Sequence, residues 1–225
     1  MLKVYNKLLK EFGKQHWWPV TNKTEDQRSS SDSRFEICVG AILTQNTNWQ
    51  NVEKAIDNLI KNRMLTKEAI KNANISKLSA LIRSSGYYKQ KARKLKIFAG
   101  FDGEITRENL LSLWGIGPET ADSIILYSAE KPIFVIDAYT KRIFSRLGFC
   151  NENCKYDELQ DLFMKNLKHD VNLFKNYHAV LVEHAKNSCR KKPVCETCIL
   201  RKQCKYYSSQ KANYPSKNSF FFGCF

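Results

Sequence analysis

Four cysteines, Cys189, Cys195, Cys198 and Cys204, fall within sixteen residues in the spacing C-x5-C-x2-C-x5-C. Thiolates this crowded can close around one inorganic centre. Zinc is one candidate, but four-cysteine zinc sites usually come as two CxxC knuckles, and only one is present. Arg190, Lys191, Lys192, Arg201 and Lys202 interleave the thiols. A centre held there would act as a staple pressing a basic loop against a polyanion, with no part in bond chemistry.

Residues 113–137 form the second stretch that can do chemistry. Gly115, Ile116 and Gly117 make a glycine-punctuated turn, Pro118 suits the first turn of a following helix, and an IFVI run then delivers Asp137. Glycines at 115 and 117 fit a backbone that visits positive φ, and they clear the way to the peptide N–H groups. A helix start of this kind attracts phosphate and can grip a nucleic-acid backbone without reading bases. Asp137 precedes a helix, where an aspartate N-cap is worth about 1 kcal/mol. At the mouth of a cleft the same carboxylate could stabilise an oxocarbenium-like sugar and orient a water. Glu119 complements a helix dipole and, unlike lysine, forms no Schiff base with a sugar aldehyde.

Lysine and arginine total 37 against 22 acids, a net charge of +15, which favours a polyanionic partner. The excess concentrates at residues 87–96 (YYKQKARKLK) and 186–205, as phosphate-contacting patches do. No window is long and apolar enough to span a membrane, and the polar N-terminus is unlike a signal peptide, so a cytoplasmic, nucleoid-associated protein, or a nuclear one in a eukaryote, is expected. Cys38, Cys150, Cys154 and Cys224 read as ordinary buried or incidental thiols.

The elements that must position these residues are helical. Apolar periodicity marks helices at 1–15, 35–43, 49–60, 75–84, 91–99, 107–113, 139–147 and 156–167, and a long one through Phe174, Tyr177, His178, Leu181 and Cys189. Strand character is confined to residues 133–136. Residues 21–34 are polar and serine-rich, hence a loop, and residues 208–225 show no helical pattern. Trp17 and Trp18 at the edge of that loop serve equally as core anchors or as a stacking platform for a base.

LWGIGPETAD, then VIDAYTKRIFSRLG, then the four-cysteine loop together resemble the helix-hairpin-helix glycosylases of the endonuclease III superfamily, base-excision repair enzymes, over about residues 17–204. HWWPV, GAILTQNTNW and GIGPETADSI look most like the branch associated with 3-methyladenine removal. The resemblance implies an all-α fold: two helical domains flanking a DNA-binding cleft, a helix-hairpin-helix motif and a C-terminal iron–sulfur loop. On this chain that means a six-helix domain over 25–131, a discontinuous domain of 1–24 plus 132–207, and a poorly defined tail at 208–225.

Carried over, Asp137 matches the catalytic aspartate, Gly115, Ile116, Gly117 and Thr120 the DNA-backbone site, and Cys189, Cys195, Cys198 and Cys204 the ligands of a 4Fe-4S cluster. The first cysteine gap is one residue shorter than the common spacing. Trp17, Trp18, Pro19 and Trp49 would line the base pocket, with Gln45 and Asn46 near the gap left by the extruded nucleotide. Glu119 stands where strand-cleaving members carry a lysine.

The implied activity is a monofunctional, monomeric glycosylase that acts on double-stranded DNA and releases alkylated purines such as 3-methyladenine. The alternatives are a bifunctional glycosylase and abasic-site lyase using another lysine such as Lys141, and a non-catalytic iron–sulfur protein that binds damaged DNA.

Overall fold

The computed structural model describes residues 1–21 and 31–213. Cys224, the aromatic run at 220–222 and most of the polar stretch at 21–34 lie outside the described residues. The last four residues of that stretch open a helix instead of extending the loop. The described elements are α1 (Leu2–Phe12), α2 (Ser31–Leu43), α3 (Trp49–Lys61), α4 (Lys67–Asn72), α5 (Ile75–Leu81), α6 (Tyr88–Gly100), α7 (Arg107–Ser112), α8 (Pro118–Ser123), α9 (Ala138–Leu147), α10 (Tyr156–Asn166), α11 (Val171–Asn187) and α12 (Lys205–Asn213). A π-type turn at Ile124–Ser128 continues α8.

The fold is all-helical. The apolar run before Asp137 is not a strand: Phe134, Val135 and Ile136 are buried but belong to neither a helix nor a strand. Its β-branched and aromatic residues suit burial as well as they suit a sheet. Two helices lay beyond the sequence pattern. Helix α4 is announced mainly by its cap, Thr66, which accepts from the Ala69 amide. Helix α12 lacks an apolar stripe and is held from outside, with the Arg146 guanidinium 4.9 Å over the Tyr206 ring and Tyr207 Oη 3.2 Å from Glu196 Oε2.

The chain divides into two compact units. One comprises His16–Val135 and Lys168–Lys175. Its core is built from Val39, Ile42 and Leu43 of α2, Val52, Ile56 and Leu59 of α3, Leu78 of α5 and Leu95 of α6, all essentially inaccessible. Lys91 is 1% exposed in this core, and its ammonium donates to Leu43 O (2.8 Å) and Ser85 O (2.6 Å). It thereby closes the C-terminus of α2, where carbonyls otherwise go unmet. Burial, with the charge of Lys94 behind it, pulls the Lys91 ammonium down to about 8.

The other unit comprises Met1–Gln15, Ile136–Leu167 and Asn176 onwards. Phe144, Phe163 and Tyr177 pack ring against ring at its centre, with centroids 4.6 Å apart for the first pair and 5.6 Å for the second. The Tyr177 hydroxyl donates to Met1 O at 2.9 Å, which ties α1 to α11. Among the described residues no helix is long and apolar enough to cross a membrane.

Candidate functional site

The hairpin between α7 and α8 is held from two sides. Arg107 Nε donates to Asp122 Oδ1 at 2.9 Å, and Asp122 is fully buried, so this pair fastens the two helices to each other. Gln45 crosses from the end of α2: its Nε2 donates to Gly115 O (3.1 Å) and Thr120 Oγ1 (2.9 Å), while its Oε1 accepts from Lys94 Nζ. The Gln45 amide is therefore committed to bracing the hairpin, and the buried Thr120 side chain faces inwards to receive it.

The two glycines differ. Gly115 has φ +83° and needs to be glycine for that reason alone. Gly117, with φ −97°, is the N-cap of α8, so the positive φ expected of it is absent. A Cβ at 117 would meet nothing within 4 Å. Neither a positive φ nor packing requires glycine there; its place as the N-cap of α8 is one at which glycine is preferred to alanine.

The basic run beside the hairpin is partly turned inwards. Lys91 is buried, Lys94 braces Gln45, and Lys96 Nζ donates to Lys71 O and Ala73 O. Lys89 and Arg93 are exposed, and Arg93 stacks 4.4 Å above the half-exposed ring of Trp114. Charge counting along the sequence could not separate these lysines, because an ammonium capping a helix end and one facing solvent look alike there.

Trp17, Trp18 and Trp49 do come together, and Tyr127 joins them. Trp18 makes edge contacts with Trp49 (5.5 Å between centroids) and Tyr127 (5.2 Å), while Trp17 lies 6.1 Å from Trp18 and 6.4 Å from Tyr127. Trp18 is buried against α2, where a Cβ on Gly40 would stand 3.0 Å from its indole Nε1. It is a core anchor. Trp17, Pro19 and Trp49 are partly accessible, and Trp49 Nε1 donates to Glu53 Oε1 at 2.8 Å. Asn46 is exposed at φ +54°, a conformation asparagine tolerates better than most residues. Tyr127 escaped the sequence reading because the π-type turn carries it out of simple helical register.

In the other unit Asp137 caps α9. Its Oδ1 accepts from the Thr140 amide at 2.6 Å, and its Oδ2 lies 3.5 Å from His178 Nε2 on α11, with the two side chains 12% and 5% exposed. Burial raises the Asp137 carboxyl, but the His178 ring beside it and the hydrogen bond from the Thr140 amide outweigh burial and hold it below the usual aspartate value. The result is a largely buried carboxylate that stays ionised. The Ile136 amide just before it donates to Tyr156 Oη at 3.3 Å, which fixes the approach of the chain. His178 was visible in the sequence only as one more member of the α11 stripe. Glu119, by contrast, is exposed in the first turn of α8.

Cys189, Cys195, Cys198 and Cys204 all line one small pocket whose other walls include Ile143, Leu147 and Leu200. Among the described residues no three His, Cys, Asp or Glu side chains converge on a single-ion site. The thiols nevertheless feel one another. Cys195 and Cys198 are pushed up, first by burial and then, at Cys195, by Cys204 and Cys189; at Cys198 the charges of all three other cysteines act behind burial, against a backbone hydrogen bond from Leu200. Metal binding would require these thiols to give up their protons, and four sulfurs lining one pocket are the donor type that an iron–sulfur cluster takes. Arg146 reinforces the loop through Cys189 Sγ (3.3 Å), Arg190 O (2.7 Å) and Lys191 O (3.0 Å).

The chain belongs to the HhH-GPD superfamily of base excision DNA repair proteins, whose family model matches residues 39–169. It is 45% identical over 218 residues to the "Putative DNA repair glycosylase" of Methanocaldococcus jannaschii, covering 90% of this chain and 94% of that one. It is 31% identical over 185 residues to endonuclease III of Sulfolobus acidocaldarius, covering 77% and 82%. Among solved structures it resembles the H. pylori 3-methyladenine DNA glycosylase MagIII bound to 1,N6-ethenoadenine, with 32% identity, a TM-score of 0.67, and coverage of 82% of this chain and 95% of that one. By class, then, it is a base-excision repair DNA glycosylase.

Proposed function

We propose that this chain is a monofunctional glycosylase that hydrolyses the N-glycosidic bond of alkylated purines of the 3-methyladenine type in double-stranded DNA and leaves an abasic site. The observation that carries the reading is Asp137, a buried carboxylate kept ionised by Thr140 and His178. Such a group stabilises positive charge developing on the sugar and orients a water towards the anomeric carbon. His178 positions it and keeps it charged. An alkylated purine is cationic and leaves readily, so it asks for little acid catalysis, and partly exposed indoles such as Trp17 and Trp49 suit a cationic ring.

Glu119 supports the hydrolytic route, since no carboxylate forms a Schiff base. The likeness to the H. pylori 3-methyladenine glycosylase supports the alkylpurine assignment. Gly115 to Gly117, with Thr120 shaping the turn from within, would hold the DNA backbone through N–H groups at the start of α8. Trp17, Pro19 and Trp49, backed by Trp18, would wall the base pocket. Gln45 keeps the hairpin in shape, and Asn46 would reach towards the space the base vacates.

Cys189, Cys195, Cys198 and Cys204 would hold a 4Fe-4S cluster. When bound it supplies rigidity to the basic loop and no step of the reaction. Purified protein is then brown and contains about four irons per chain.

The test is single-turnover release of methylated base from alkylated duplex DNA, with borohydride trapping alongside. Release without a trapped protein–DNA adduct is expected. A covalent adduct would favour the bifunctional reading, and damaged-DNA binding without release would favour a non-catalytic one.

A further inference from the structure

Cys150 and Cys154 face each other across the connection between α9 and α10, with their sulfurs 3.0 Å apart. Both are free thiols, and the local backbone is built to bring them together. Gly148, at φ +86°, ends α9 in the left-handed conformation and turns the chain back. The Asn151 carboxamide oxygen then accepts from the Asn153 amide at 2.8 Å, and Asn151 O accepts from the Cys154 amide at 3.2 Å. These bonds form a tight turn whose flanking residues are the two cysteines. Cys154 is buried, at 4% exposure, and Cys150 is partly accessible.

From this geometry we infer that Cys150 and Cys154 form a redox-active dithiol that closes to an intramolecular disulfide when it meets a small-molecule disulfide oxidant. The accessible Cys150, as thiolate, attacks one sulfur of the oxidant; the oxidant's S–S bond breaks and its first half leaves as a thiolate that takes up a proton. Cys154 then loses its proton and attacks the Cys150 sulfur, and the second half of the oxidant leaves in the same way. Two protein thiols are oxidised and one disulfide is reduced to two thiols, so atoms and electrons balance.

Burial, joined by the hydrogen bond and charge of Cys154, pushes the Cys150 thiol up to about 12. The pair is therefore slow to react at neutral pH and faster in alkali. Closure has a defined mechanical consequence. Cys154 is followed by Lys155, the N-cap of α10, and by Tyr156, whose hydroxyl accepts the Ile136 amide. A closed ring would stiffen that support.

Trypsin isolates the pair, because the peptide between Arg146 and Lys155 carries Cys150 and Cys154 and no other cysteine. The full chain is equilibrated with mixtures of reduced and oxidised glutathione, blocked with iodoacetamide, digested and weighed. At the oxidising end, peptide lighter by two hydrogens and free of alkyl groups should outweigh the doubly alkylated form by about tenfold. Ring formation should speed up about tenfold per pH unit between about pH 7 and 9. Cys154→Ser should stall as a mixed disulfide on Cys150, and exchange at the Ile136 amide should slow severalfold in the ring form. Doubly alkylated peptide at every ratio would overturn the inference, as would a stable mixed disulfide on wild-type Cys150. Equal linked fractions in native and denatured protein would remove the role of the turn.

Discussion

Glu119 and Asp137 each stand at the start of a helix, the first in the opening turn of α8 and the second as the cap of α9. Glu119 is exposed, whereas Asp137 is largely shielded, bonded to the Thr140 amide and set against His178. A carboxylate in water is screened, and its field reaches little beyond its own helix. One in a dry setting acts on whatever charge develops beside it. The comparison teaches that helix-start chemistry alone does not set a carboxylate apart. What does is the neighbour that keeps a buried carboxyl ionised.

The largest expected effect tests that difference directly. Asp137→Asn retains the cap, since asparagine caps as well as aspartate, but removes the charge. Single-turnover base release should fall by about a hundredfold or more, with DNA affinity little changed. Glu119→Gln should leave the rate within about twofold, as exposed-surface substitutions do. If the two variants behaved alike, the distinction drawn from burial would fail. Next in size is His178→Leu, expected to slow release about tenfold by leaving the Asp137 carboxyl without its partner. Its signature lies in the pH profile. With the influence of His178 removed and only Thr140 left to oppose burial, the carboxyl protonates at higher pH, and the acid limb moves up.

How much of this was legible in the sequence follows from the kind of contact involved. Asp137, the hairpin and the cysteine loop were readable because short-range spacing dictates each of them. The helices were readable wherever an apolar stripe recurs, and α12 was not, because Arg146 and Glu196 hold it through its tyrosines. Gln45 reaches Thr120 across 75 residues of chain, and His178 reaches Asp137 across 41, and no local pattern announces such pairings. The buried Lys91 is the same case in reverse, a charge that reads as surface and sits in the core.

The hairpin glycines sharpen the comparison from the α8 side. Gly117→Ala meets open space at an ordinary φ and gives up only the N-cap preference for glycine, so stability should fall by less than about 1 kcal/mol while affinity for duplex DNA drops about three- to tenfold. Gly115→Ala forces a side chain into φ +83° against Lys94 and should cost about 1 kcal/mol or more of stability. Filter binding and denaturant melts separate the two. Equal loss of stability in both variants would mean that glycine at 117 serves the fold.

The smallest expected effect is a flat pH profile. Because Asp137 is held below its usual value of 3.8 in the folded protein, the native state binds its proton less readily than the unfolded chain does. Its contribution to stability is therefore complete above about pH 4 and is lost as pH falls through the lowered native value. The role proposed for this carboxylate follows the same direction: base release should show no acid limb attributable to Asp137 from neutral pH down to about pH 4. A limb near pH 6 that vanished in Asp137→Asn, measured on the residual activity, would show the carboxyl titrating high. Asp137 would then resemble a buried acid poised to donate a proton, and the contrast with Glu119 would have to be redrawn as one between a proton donor and a bystander.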